Sequence, residues 1–101
     1  MATTTKKLFR GAATTTLTTT LYTVPAATTT IVTNLVVVNT ASAARTFTIY
    51  IDGQFLHNTT TIAANTSVYI DLKQVLEPTK LIQGGASATD VTFHISGVEI
   101  A

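Results

Sequence analysis

Residues 45–56 read RTFTIYIDGQFL. Phe47, Ile49 and Ile51 alternate with Thr46, Thr48, Tyr50 and Asp52, so a pleated strand puts the first set on one face and the second on the other. Asp52-Gly53 follows directly. A two-residue type I′ turn needs positive φ at both central positions, which aspartate and glycine tolerate, so the dipeptide predicts a tight hairpin. With Ile51 opposite Gln54, Tyr50 falls opposite Phe55 and Ile49 opposite Leu56. Cross-strand partners share a face, so Leu56 is expected in the core and Phe55 outside with Tyr50.

Strand signals extend in both directions from this hairpin. Threonine is β-branched and suits a pleated surface with one wet face, so the threonine-rich stretch from residue 14 reads as structure. Leu17 and Leu21 share parity with Thr19 and Thr23, while Thr16, Thr18, Thr20 and Tyr22 take the other face. Pro25, which lacks the ladder N–H, ends that strand. Residues 30–39 form the next one, and its Leu35-Val36-Val37-Val38 run is apolar on both faces, as in a central or doubly covered strand. Asn39 to Ala44 is small and polar, hence a turn. Val68, Ile70 and Leu72 alternate with Ser67, Tyr69 and Asp71, which puts another aromatic on the polar side. Lys73 to Glu77 suits one helical turn stopped before Pro78. Lys80 to Gln83 suits a short strand and Gly84-Gly85 a turn. In the last strand Val91, Phe93 and Ile95 have one parity and Val98 and Ile100 the other, so a bulge at Ser96-Gly97 is expected to return both sets to the core. Seven or eight short strands separated by turns indicate an all-β, antiparallel, jelly-roll-like β-sandwich.

Composition bounds the rest. The chain has 101 residues, no cysteine, 46% hydrophobic and 11% charged residues. That suits one folded domain held by packing alone. We divide it into an N-terminal arm, residues 1–13, and a β-sandwich, residues 14–101. Leu35 to Val38 is far shorter than the roughly 20 apolar residues of a membrane helix. A net charge of +1 provides no field for a polyanion, so neither nucleic acid nor membrane is an expected partner. Lys6, Lys7 and Arg10 lead into Gly11-Ala12-Ala13 and threonines, which is no export signal, so synthesis is expected in the cytoplasm of the producing cell.

Few side chains here could do chemistry. His57, His94, Asp52, Asp71, Glu77, Asp90 and Glu99 are scattered, with no metal-ligand spacing, carboxylate pair, GxSxG or P-loop among them. Asp52 and Asp71 have turn roles at strand ends. Asn58-Thr59-Thr60 and Asn65-Thr66-Ser67 match the glycosylation sequon by composition. Catalytic residues, cofactors and metals are therefore expected to be none. Binding surface is what remains: Tyr50, Phe55 and Tyr69 are expected to share an outer face for self-association or a partner, since aromatics carry disproportionate interface energy. A loop or the N-terminal segment could cover the same face. Lys6, Lys7, Leu8, Phe9 and Arg10 are the expected contacts of the arm.

The segments LYTVPAATTTIVTNLVVVN, FTIYIDGQFL and VTFHISGVEI resemble small β-sandwich structural proteins of tailed bacteriophages, over nearly the whole chain from about residue 15. The resemblance implies a capsid decoration or cement protein, binding the major capsid protein or another virion protein on the capsid surface, often as a trimer. A tail or fibre component is the near alternative. A carbohydrate-binding module, using Tyr50, Phe55 and Tyr69 as a stacking platform, is the alternative from another class.

Overall fold

In the computed structural model, which describes residues 3–101, Asp52 and Gly53 take φ values of 52° and 75°. This is the double positive φ that the hairpin requires. The turn joins β4 (Arg45–Ile51) to β5 (Gln54–Ile62), with Ile51 opposite Gln54 and Tyr50 opposite Phe55 as expected. The next pair differs. Ile49 faces His57, not Leu56, because the register shifts there. Leu56 is the extra residue of a bulge, so it and His57 both turn inward, Leu56 against the core and His57 onto the Phe47 ring.

The other strands are β1 (Thr3–Ala12), β2 (Thr20–Thr23), β3 (Thr29–Asn39), β6 (Thr66–Leu76), β7 (Leu81–Ala86) and β8 (Val91–Ile100). They form two four-stranded antiparallel sheets, ordered β1-β8-β3-β6 and β2-β7-β4-β5. First pairs with last, second with seventh, third with sixth, fourth with fifth. A long hairpin rolled up on itself gives this nesting, and the two sheets form a β-sandwich. The inner faces meet in a core of Val32, Leu35, Val37, Phe47, Ile49, Ile62, Leu76, Ile82, Val91, Phe93 and Ile95. Phe47 and Phe93, from opposite sheets, pack edge to face with centroids 6.3 Å apart.

Four expectations are corrected. The segment set apart as an arm is strand β1 from residue 3 onward, paired with β8 from Thr3–Ile100 to Ala12–Thr92; residues 1 and 2 lie outside the described residues. Its apolar pair Leu8-Phe9 explains this, since a bulge at Leu8 turns both side chains inward. Residues 14–19 are a loop, not strand, and Leu17 is exposed. The Thr14 and Thr19 hydroxyls lie 2.6 Å apart, one donating to the other, and both oxygens sit within hydrogen-bond distance of the Thr16 carbonyl, an alternative to the ladder that threonine offers readily. Gly84 and Gly85 lie inside β7, because that loop folds against them: a Cβ at Gly85 would stand 2.5 Å from the Thr16 carbonyl oxygen. Lys73 to Leu76 extends β6, with Leu76 buried opposite Thr30, in place of a helical turn.

The expected bulge at Ser96-Gly97 falls instead on the neighbours, at Leu8 of β1 and Thr33 of β3. Parity in β8 therefore never resets. Glu99 points inward, where it accepts from the Tyr22 hydroxyl and from Lys6 Nζ at 3.3 Å, while Tyr22 also bonds Thr30 at 2.8 Å. Burial, then the Glu99 bond, pushes the Tyr22 hydroxyl up to about 12. On the acid side, burial against Phe47 lowers His57 below 6.5.

These shifts set a pH window. Below pH 6.5 the unfolded chain protonates His57 before the folded one does, so stability falls as pH drops from there toward the lower folded value. Between pH 10 and about 12 the unfolded chain ionises Tyr22 first, so stability falls as pH rises. The thermal midpoint is expected to be flat from pH 7 to 9 and to decline on both sides. His57→Gln should flatten the limb just below pH 6.5, and an unchanged limb would contradict the assignment. The Asp90 limb, held below the usual carboxylate range by the Arg45 guanidinium, should remain below pH 3.8.

Candidate assembly surfaces

Cross-strand registers define the outer face of the β1-β8-β3-β6 sheet as rows. One row runs Arg10, His94, Val36, Tyr69; the next runs Lys7, Ser96, Asn34, Asp71; a third runs Thr5, Val98, Ile31, Val75. Val98 is outward because parity in β8 was not reset. Val36 is outward because the Leu35–Val38 run has apolar residues on both faces. The middle of the face is thus Val36, Ile31 and Val98, half-buried only by their neighbours, and the β6 edge carries Tyr69 and Val75 at 75% and 63% exposure. No element of the described residues lies over them. Isolated exposed apolar residues are ordinary, but a contiguous patch of this kind marks an interaction surface.

Charge is divided across the same face. Lys7 and Arg10 stand on β1, beside a shallow groove lined also by Thr5, Thr33, Ser96 and Val98. Ion pairs among the described residues are Lys6–Glu99, Arg45–Asp90 and Lys80–Asp52, so Lys7, Arg10 and Asp71 have none. Asp71 stands exposed on β6, at the opposite edge.

The other sheet presents a second, smaller patch. Tyr50 and Phe55 stack across the hairpin with centroids 4.5 Å apart, and Phe55 is 56% exposed. Tyr69 is not with them. It belongs to β6 in the opposite sheet, so the expected three-residue face becomes two patches on two sheets. Alternation along a strand tells inside from outside, but a sandwich has two outsides.

The expected arm contacts also separate. Lys6 bonds Glu99, Leu8 and Phe9 pack in or against the core, and only Lys7 and Arg10 present free charge. Arg45 holds Asp90 in a two-pronged pair at 3.0 and 3.2 Å. Asp52 stands 3.8 Å from Lys80, and no group of three His, Cys, Asp or Glu among the described residues could hold a metal ion. The Tyr22–Thr30–Glu99 cluster escaped the sequence reading, although Glu99 has the parity of Val91, Phe93 and Ile95. Its protonated tyrosine ties the two sheets together.

Among solved structures, a pentameric capsid protein isolated from metagenomic phage sequences is similar at a TM-score of 0.43 and 20% identity, over 94% of this chain and 59% of that one. A second structure of a pentameric capsid protein from metagenomic phage sequences, solved by iodide phasing, gives 0.43 and 20%, over 94% and 60%. The structure of infectious bursal disease virus, Gt strain, gives 0.35 and 18%, over 97% and 32%. The chain spans about three-fifths of the length of the two phage proteins. No protein-family model and no curated protein matches.

Proposed function

We propose that this protein is a virion structural component, a capsid decoration protein that binds the outer shell and braces neighbouring capsid subunits. The observation that carries this reading is the pair of apolar patches on opposite outer faces of one small sandwich. A brace needs at least two contact surfaces, and modest contacts repeated over a lattice gain from multivalency. Jelly rolls serve viral capsids and lectins alike, so connectivity alone does not choose between assembly and sugar binding. The size of the first-sheet face, wider than a stacking platform needs, favours assembly. The major capsid protein is the partner, on the capsid surface.

The shell contact is assigned to Tyr50 and Phe55, whose stacked rings project beside the hairpin turn. Tyr50→Ser with Phe55→Ser is expected to lower co-sedimentation with undecorated capsids at least tenfold while leaving the melting curve nearly unchanged. Retained binding would remove this contact from the reading.

A further inference from the structure

We infer that the outer face of the β1-β8-β3-β6 sheet docks on the same face of a second copy, about a two-fold axis running along β8 and β3. This deepens the assembly reading and rests on it, because it names the occupant of one of the two patches. The argument starts from the rows. Strands stand about 4.8 Å apart, so Lys7 and Asp71, at the two ends of one row, are separated by roughly 14 Å across the face. A two-fold axis parallel to the central strands exchanges left and right but keeps each row level. Lys7 of one copy then stands over Asp71 of the other, and Arg10 over Tyr69, in both directions at once. The first is an ion pair between groups that lack one in the single chain, and the second places a guanidinium on an aromatic face. Such mutual contact is what an isologous interface requires.

The middle of the face agrees. Row Thr5, Val98, Ile31, Val75 meets itself reversed, so Val98 and Ile31 cover one another and Val75 enters the groove beside Thr5. The protruding edge, with Tyr69 and Val75, meets the recessed edge with the groove. Turning the axis at right angles to the strands would instead stack each β1 edge on the other, with Lys7 and Arg10 facing their own copies. Electrostatics therefore selects the axis. Principal extents of 46, 21 and 18 Å give the sheet a face wide enough for the roughly 800 Å² per partner of a stable interface. Lys73, the like charge on the β6 edge, lies in the bulge between Asp71 and Gln74 and off the paired rows.

The test is a charge exchange followed by sedimentation equilibrium. Wild type is expected to be a dimer, in place of the trimer the resemblance implies. Lys7→Glu and Asp71→Lys should each raise the dimer dissociation constant at least tenfold. Lys7→Glu with Asp71→Lys should return it to within about threefold of wild type, because each new glutamate faces a new lysine. Lys73→Ser should leave it within threefold. All three positions are exposed, so unchanged melting curves confirm that folding is intact. A wild-type monomer or trimer, single variants that dimerise normally, or a double variant without rescue would overturn the inference. Co-sedimentation of the same variants with undecorated capsids separates the two readings. Monomeric variants that still bind shells uphold both readings. A wild-type dimer that binds no shell upholds this one and overturns the decoration role.

Discussion

Replacing Phe93 by alanine is expected to destabilise the protein by about 3–5 kcal/mol, the range for deleting a buried aromatic ring. Phe93 has no exposed surface, lies in β8 between β1 and β3, and meets the Phe47 ring of the other sheet at 66°. The cavity therefore opens where the two sheets meet, and both sets of neighbours lose contacts. Phe93's own strand β8, its neighbour β3 and the facing strand β4 are each hydrogen-bonded on both sides, so the backbone has little freedom to close the gap. Native domains hold only about 5–15 kcal/mol in total, and in a domain of this size each kcal/mol moves the midpoint by about 4–8 °C. A fall of roughly 15–30 °C is expected by calorimetry. A change under about 5 °C would mean that the Phe47–Phe93 contact is not central to the core.

The second large effect belongs to a polar residue. Asn39, at the end of β3, is 1% exposed and engages four backbone groups: the two N–H groups of its amide nitrogen are shared among the carbonyls of Ile62, Ala63 and Ala43, and its oxygen accepts from Ala41 N–H at 2.9 Å. One side chain thus fixes the end of β3, the following turn and the β5–β6 connection. Asn39→Ala leaves buried groups without partners at about 1–3 kcal/mol each, so a loss of about 3 kcal/mol is expected. Asn39→Asp tests the same geometry by charge. A carboxylate would face three carbonyl oxygens, so at pH 7 it should be worse than alanine, and protonation on acidification should restore part of the loss. Equal stability of Asn39→Asp and wild type at pH 7 would contradict the bonding pattern.

Local turn chemistry made the central hairpin legible. Asp52-Gly53 specifies its own geometry, and the alternation from Phe47 to Ile51 needs no knowledge of distant residues. What failed depended on partners far along the chain. Gly84-Gly85 looks like a turn until the 14–19 loop is known to press on it. Val98 and Ile100 look like a displaced core pair until the bulges are found on β1 and β3. Tyr50, Phe55 and Tyr69 all read correctly as outward, yet nothing in the alternation says which sheet each strand joins. The N-terminal strand was hidden by its charge. Lys6, Lys7 and Arg10 suggested a solvated arm, whereas Leu8 and Phe9, brought inward together by a bulge, anchor β1 along the edge of the sheet. Composition makes Asn39 a turn residue, and only its burial gives it weight.

The most direct measurement of the central claim is a titration of purified protein onto undecorated capsids, followed by the bound copy number and the temperature at which the shells release DNA. Decoration predicts saturation at a fixed number of copies per capsomer and a higher release temperature at saturation. Binding that never saturates, or no binding together with a tyrosine fluorescence change on adding host polysaccharide, would contradict it and favour the sugar-binding alternative.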